Sequence, residues 1–402
     1  MWFMEEFLIA DPGQSDGDHS QLTEDLKDTL EKHDLRGFLK TSLERASKRN
    51  DDPKTNPVRT VEEYFDFVDR VGKLIPRDVL LDPPRDLQKR LLQSCAYFYF
   101  LIDQPPLDGE DDPEYPGTLQ DNDHFEEWLG EYVDTWGTFL STEGSWNWTI
   151  YRQFYDDSSF GLRNEWYEPA SNWETFNDFF SRYLRSPGAR PVAQQGDPSV
   201  VTSPADSCPQ GTWPIDEHSK IHTKDDAEGV RIKNDTYYDV NELLGPDTSY
   251  EGAFENGTFT HTFLNINDYH RYHFPVTGTV KEKTTIPGNV KLNVRWHEKA
   301  GEYGLHDSTG WQFSQTRGSV VIETDDHGLV AVLPIGMGQV SSVNFSDHVE
   351  KGRRFRKGDM LGYFLFGGSD IIMLFQEGYG FEQTVPEGNH ILMGEQYGTL
   401  DG

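Results

Sequence analysis

At 402 residues the chain is long enough to bury two cores, and 36 lysines and arginines against 69 aspartates and glutamates leave a net charge of −33, spread along its length. A surface of that sign repels nucleic acid and anionic headgroups within the range that salt allows, which argues against a nucleic-acid partner and against a stable, polybasic membrane anchor. No apolar run approaches the roughly 18 residues of a membrane span, the start Met1-Trp-Phe-Met-Glu-Glu-Phe7 lacks the basic region of a secretory signal, and Cys95 and Cys208 form no disulfide framework or metal-ligand spacing, so a cytoplasmic location is expected.

Residues 1–20 are polar and rich in Asp and Gly, and a disordered tail is expected there. From 21 to about 165 the apolar period is helical, and these residues are read as a helical N-terminal domain. Leu22, Leu26 and Leu30 recur every four residues, and Phe38, Leu39, Leu43 and Ala46 continue an apolar face. Thr60 and Glu63 form a capping box ahead of Val61, Tyr64, Val68, Val71 and Ile75, with Pro76 expected to stop the helix. Leu87, Leu91, Cys95 and Phe98 suggest another helix. Beyond an acidic loop at 105–113, Trp128, Leu129, Tyr132, Val133, Trp136, Phe139 and Leu140 share one helical face. A stripe of that kind is core more often than a substrate wall.

After about residue 195 the texture changes to short β-prone runs broken by Gly, Pro, Asn and Asp. Phe259–Leu264 largely alternates, whereas Val320–Ile322 and Leu329–Leu333 are continuous apolar runs that suit strands covered on both faces. The expected class is therefore α+β, with helices first and a β-rich domain after. Phe364-Leu-Phe-Gly-Gly-Ser-Asp-Ile-Ile-Met-Leu-Phe-Gln376 sets a flexible Gly-Gly-Ser inside an apolar run, which holds Ser369 deep in the fold at a bulge or a close backbone approach.

Four motifs occur in one order: Phe179-Phe-Ser-Arg-Tyr-Leu-Arg-Ser-Pro-Gly-Ala-Arg-Pro191, Ser203-Pro-Ala-Asp206, Asp268-Tyr-His-Arg-Tyr-His273 and Phe366-Gly-Gly-Ser369. Together they resemble the phosphatidylserine decarboxylase family, whose members cut themselves at the serine to make a pyruvoyl group. The resemblance covers about residues 170–402, and 170–402 is read as the catalytic domain. The helical front resembles an extension found in some fungal and bacterial members, aromatic amino acid decarboxylases among them. Within the β-rich part, Pro275–Val280 and Val349–Gly362 resemble the paired hairpin halves of barrel-sandwich-hybrid folds.

A serine hydroxyl needs an adjacent base, and the base an orienting carboxylate. Ser369, His273 and Asp206 can supply that set, and the family's pattern implies His273 as base and Asp206 as its orienter. Cleavage then falls between Gly368 and Ser369, where glycine leaves the carbonyl open to attack. The resemblance implies a pyruvoyl group derived from Ser369 as the sole cofactor. It also implies a Schiff base to the substrate amine, the separate chain 369–402 as a partner, and His270 as general acid or substrate positioner. The substrate is either phosphatidylserine or a free, possibly aromatic, amino acid such as tryptophan.

Other readings stay open. His270 and His273, three residues apart beside Asp268, could hold a metal, but no further ligand is spaced to complete a site and none is expected. Arg190 reads as a structural or salt-bridging residue. The family's usual glycine after the aspartate and threonine or serine after the reactive serine are here Ser207 and Asp370. Asp370 would put a carboxylate beside a developing oxyanion, which leaves an unprocessed binding protein of the same fold as an alternative. A serine hydrolase is another, although the Gly-x-Ser-x-Gly elbow is missing.

Overall fold

The computed structural model describes residues 19–76, 87–109, 112–221, 238–305, 310–338 and 342–401. Nearly all of the expected 1–20 tail lies outside them. The architecture is α+β, with helices in the N-terminal part and several sheets after it, none of them closed into a barrel among the described residues. The chain divides into two compact units, Met1–Asp157 with Val290–His306, and Ser158–Asn289 with Asp307–Gly402.

Among the described residues six α-helices build the first unit: α1 (Gln21–Lys32), α2 (Arg36–Arg49), α3 (Val61–Val71), α4 (Leu87–Ile102), α5 (Asp123–Leu140) and α6 (Trp148–Asp156). The capping box at Thr60 and Glu63 starts α3, with both reciprocal bonds made. That helix stops at Val71, short of Ile75 and Pro76, with Gly72 N donating to the Val68 carbonyl at its end. The α5 stripe is core: Trp128, Leu129, Tyr132, Trp136 and Leu140 are buried, and the Trp128 indole donates to the Leu22 carbonyl of α1.

A two-stranded hairpin, Val294–His297 with Glu302–Leu305, belongs to this helical unit despite its distance along the chain. Asp103, at the end of α4, holds it. Its carboxylate accepts from Val294 N at 2.7 Å, Asn293 Nδ2 at 3.3 Å and Gln120 Nε2 at 2.9 Å. Burial pushes the Asp103 carboxyl up to about 6, against three hydrogen bonds that favour the charged form.

The second unit is organised by a seven-stranded antiparallel sheet. Its strands are β1 (Cys208–Pro214), β2 (Thr258–Leu264), β3 (Gly278–Ile286), β4 (Thr316–Glu323), β5 (Leu329–Met337), β6 (Arg354–Phe355) and β7 (Gly368–Phe375), in the order β6-β3-β4-β5-β7-β2-β1. Alternation sends successive β7 side chains to opposite faces, and both faces are covered. Ile371, Met373 and Phe375 join one apolar cluster with Leu264, Val320, Ile322, Val330 and Val332. Ile372 and Leu374 join another with Phe259, Val321, Ala331, Leu333 and Ile335. The continuous apolar runs of β4 and β5 follow from this double covering, and each buried Val, Leu or Ile contributes roughly 1.5–3 kcal/mol.

Pro275–Val280 and Val349–Gly362 lie side by side. β6 pairs with the start of β3, Arg354 opposite Thr279 and Phe355 opposite Gly278. A separate three-stranded sheet then pairs Met360–Tyr363 with Arg271–His273. The segment that carries His270 and His273 is thereby tied to the stretch that leads into Ser369, and Phe364 N donates to the His270 carbonyl at 2.9 Å.

Candidate active site

β7 begins at the predicted cleavage point. Ser369 is fully buried between β2 and β5, opposite Leu264 on one side and Gly336 on the other. Gly367, just ahead of the strand, takes φ +154°, a value that residues with a side chain rarely adopt. The short helix α7 (Phe176–Phe180), capped by Thr175 and Asp178, fixes the entry to β7, since Asn177 Oδ1 accepts from Phe366 N at 3.1 Å. Phe176 and Phe180 both pack edge-on against the Phe366 ring, with centroids 5.2 Å away.

His270 is the imidazole that meets the serine. Its Nδ1 lies 3.2 Å from Ser369 Oγ, and its Nε2 lies 3.0 Å from the Asn265 carbonyl oxygen. A carbonyl only accepts, so Nε2 carries the proton and Nδ1 offers its lone pair to the hydroxyl. The Phe180 ring stacks on the imidazole at 3.8 Å between centroids. Burial, with Arg182 nearby, pushes the His270 pKa down to about 3, so the ring is a neutral base at neutral pH.

The loop before His270 is closed on itself. Asp268 Oδ2 accepts from Asn265 N at 2.7 Å, and Asp268 N donates back to the Asn265 carbonyl at 2.9 Å. Arg182, buried and stacked over Tyr167, donates to the carbonyls of Asn267 and Asp268 at 3.2 and 2.9 Å. The expected motif around Arg182 thus acts as a brace for the histidine loop.

His273, expected as the base of Ser369, makes other contacts in the structure. His273 Nδ1 donates to the Gly358 carbonyl at 2.8 Å, and its Nε2 accepts from the Tyr269 hydroxyl at 3.1 Å. Both ring nitrogens are thereby taken, and burial holds the pKa down at about 4. The reason is strand alternation: His273 sits in the Arg271–His273 strand, three residues on from His270, with a different neighbourhood.

Asp206 likewise orients no imidazole by a direct bond. Arg190 holds it by Nε to Oδ1 at 3.1 Å and Nη2 to Oδ2 at 2.7 Å, and Met393 N donates to Oδ1 at 2.8 Å. Asp206 reaches His273 only as a nearby charge that raises its pKa. Arg190 is the salt-bridging residue its context suggested, stacked on Trp166 at 4.2 Å.

Asp370 follows Ser369 in β7. Adjacent in sequence to Ser369, its side chain lies on the face with Ile372 and Leu374, where it is bonded to His261 Nε2 and faced by Gln312. Burial pushes its pKa up, while His261 opposes the shift.

Sequence reading missed Phe180, Asn177 and Asn265 as parts of the site. Phe180 stands within a motif already singled out, but a Phe-Phe pair ahead of Ser-Arg carries no signal of stacking on a histidine 90 residues away in the chain.

The family model described as phosphatidylserine decarboxylase matches residues 176–399, more than half of the chain. Phosphatidylserine decarboxylase proenzyme 2 of Oryza sativa subsp. japonica is 32% identical over 211 residues, which cover 52% of this chain and 30% of the rice protein. Phosphatidylserine decarboxylase proenzyme of Vibrio campbellii is 25% identical over 282 residues, 65% of this chain and 91% of that protein. Decarboxylase iboD of Amanita muscaria is 29% identical over 290 residues, 64% of this chain and 79% of that protein.

Proposed function

The chain belongs to the phosphatidylserine decarboxylase family, and we propose that it cuts itself between Gly368 and Ser369 and then removes carbon dioxide from an amino-carboxylate substrate. The observation that carries this is the buried Ser369 hydroxyl 3.2 Å from the unprotonated Nδ1 of His270. His270 takes the base's part in this reading. Its Nε2–H is held by the Asn265 carbonyl and its ring by Phe180, so the lone pair stays aimed at Oγ.

Ser369 Oγ attacks the Gly368 carbonyl carbon as His270 takes the hydroxyl proton, and that proton passes to the Ser369 nitrogen as the C–N bond breaks and a C–O ester is left. Loss of the Ser369 Cα proton with cleavage of Cβ–O frees the upstream chain as a carboxylate ending at Gly368. Water then displaces ammonia from residue 369 and leaves a pyruvoyl group. Such a group supplies a carbonyl that condenses with an amine and accepts the electrons released with carbon dioxide. The fit is local: Ser369 is buried, paired with Leu264 and Gly336, and has His270 beside it.

Phosphatidylserine is the substrate that the names of the rice and Vibrio relatives give. A free amino acid is the second reading, favoured by the Amanita relative, whose name carries decarboxylase alone. It is favoured too by the net charge of −33 and by the observation that no helix among the described residues is long and apolar enough to cross a membrane. Carbon dioxide release from phosphatidylserine vesicles and from L-tryptophan, measured side by side, separates the two.

The test of the class is the intact mass of the purified chain under denaturing conditions, beside Ser369→Ala. A fragment of residues 369–402 that disappears in the variant, together with loss of activity on treatment with hydroxylamine, is the expected result. One uncut species in both overturns the decarboxylase reading in favour of a binding protein, and inactivation by an organophosphate in an uncut chain favours a hydrolase.

A further inference from the structure

The proposed function leaves a connected set of polar groups unused. Asp268 has two carboxylate oxygens. One closes the Asn265 turn, as described above, and the other, Oδ1, accepts from His390 Nε2 at 2.7 Å. Asp268 is 4% exposed at its side chain and His390 43%. The bonds run from His390 to Asp268, through the Asn265 backbone to its carbonyl, then to His270 Nε2, and from His270 Nδ1 to Ser369 Oγ. His390 lies downstream of the proposed cut and Asp268, Asn265 and His270 upstream, so this ion pair would join the two product chains.

We propose that His390 is a positioning residue: paired with Asp268 across the two product chains, it locks the Asn265–Asp268 turn whose carbonyl aims His270 at residue 369. This rests on the reading of His270 given above. A proton shuttle along the same path is excluded by chemistry, because the Asn265 carbonyl has no proton to pass on. What the path can carry is orientation. Removing His390 leaves a buried carboxylate held by the Asn265 N–H, and the turn loses the contact that opposes its loosening.

The pair is pH-dependent. Asp268 raises the His390 pKa by hydrogen bonding and charge, burial opposes this, and Asp206 and Arg190 add smaller effects of opposite sign. Asp268 is itself pushed up by burial and by Asp206, with His390 opposing, and the Cys208 thiol is the other titratable group that faces it. The charged pair therefore exists between the loss of the Asp268 proton and the loss of the His390 proton, and it weakens on the alkaline side first through His390.

The test uses the full chain with His390→Ala and His390→Gln. In a Ser369→Ala background, where processing cannot interfere, side-chain ¹⁵N spectra of labelled histidines report whether His270 stays in the Nε2–H tautomer. One tautomer is expected with His390 present, and a mixture of both in His390→Ala. In the processed enzyme His390→Ala is expected to lower kcat about tenfold with KM within about twofold, and His390→Gln, which can still donate, to recover most of the rate while losing the alkaline limb of the pH profile. Unchanged His270 spectra together with an unchanged pH profile overturn the proposal. Failure of the parent chain to cut at Gly368–Ser369 would instead sink the proposed function, and the tautomer measurement still decides whether His390 controls His270.

Discussion

Ser369 and Asp370 are neighbours in the chain, yet they serve different regions of the second unit. Ser369 shares its side of β7 with Ile371 and Met373 and meets His270. Asp370 shares the other side with Ile372 and Leu374 and is paired with His261. A strand covered on both faces can thus keep a reactive hydroxyl and a buried acid one residue apart without a shared side-chain partner. Adjacency along a central strand separates side chains, while distance along the chain, as between His270 and Ser369, does not keep them apart.

The largest expected effect comes from the buried imidazoles on the reactive side. His270 and His273 are held neutral, with pKa values pushed down to about 3 and about 4. An unfolded histidine takes up a proton near pH 6.5. With the folded value depressed, the stability these rings contribute is present above pH 6.5 and is lost as pH falls towards the folded pKa. For His270 alone the gap corresponds to roughly 5 kcal/mol. Denaturant midpoints between pH 7.5 and 4 should fall steeply, and less so in His270→Asn. A midpoint as steep in that variant as in the parent would detach the acid response from this histidine.

A smaller effect is expected on the other side. His261→Ala leaves Asp370 buried without its partner and should cost about 3–5 kcal/mol, read as a shift in denaturant midpoint. Asp370→Asn removes the charge with little change of volume, and cleavage at Gly368–Ser369 should stay within about twofold of the parent, as for sites with no shared partner. Several-fold faster cleavage would mean that the carboxylate does oppose charge at the serine, and the two faces would not be independent.

The smallest effect tests how finely the reactive side is held. Phe180→Leu removes the ring stacked on His270, a contact of about 0.5–1.5 kcal/mol, and cleavage should slow by roughly 2–10-fold. An unchanged rate would leave the Asn265 carbonyl as the sole orienting contact.

Much of the architecture was legible because it rests on periodicity and local chemistry. The capping box at Thr60 and Glu63, the α5 stripe and the doubly covered runs of β4 and β5 all declare themselves in a few residues. Val294–Leu305 did not: what assigns this hairpin to the helices is contact with residues far upstream, Asp103 holding Val294 N and Gln93 and Asn50 holding Tyr303. At the site, the family resemblance picked out Ser369, His270, His273 and Asp206 and implied His273 as the base, but no sequence pattern shows which histidine meets the serine. That depends on which ring nitrogens are already engaged, and the Gly358 carbonyl and the Tyr269 hydroxyl occupy both of those on His273. The partner of Asp370 was hidden for the related reason that His261 lies on another strand.

The most direct test of the central claim is the rate at which the 369–402 chain appears in His270→Ala and in His273→Ala, followed by mass under denaturing conditions. A general base is worth about 10²–10⁴-fold. His270→Ala should slow cleavage by at least about a hundredfold, while His273→Ala, which loses only its bonds to Gly358 and Tyr269, should stay within about tenfold. The reverse order, with His273→Ala the crippled variant and His270→Ala cutting normally, would contradict the account and return the base to His273.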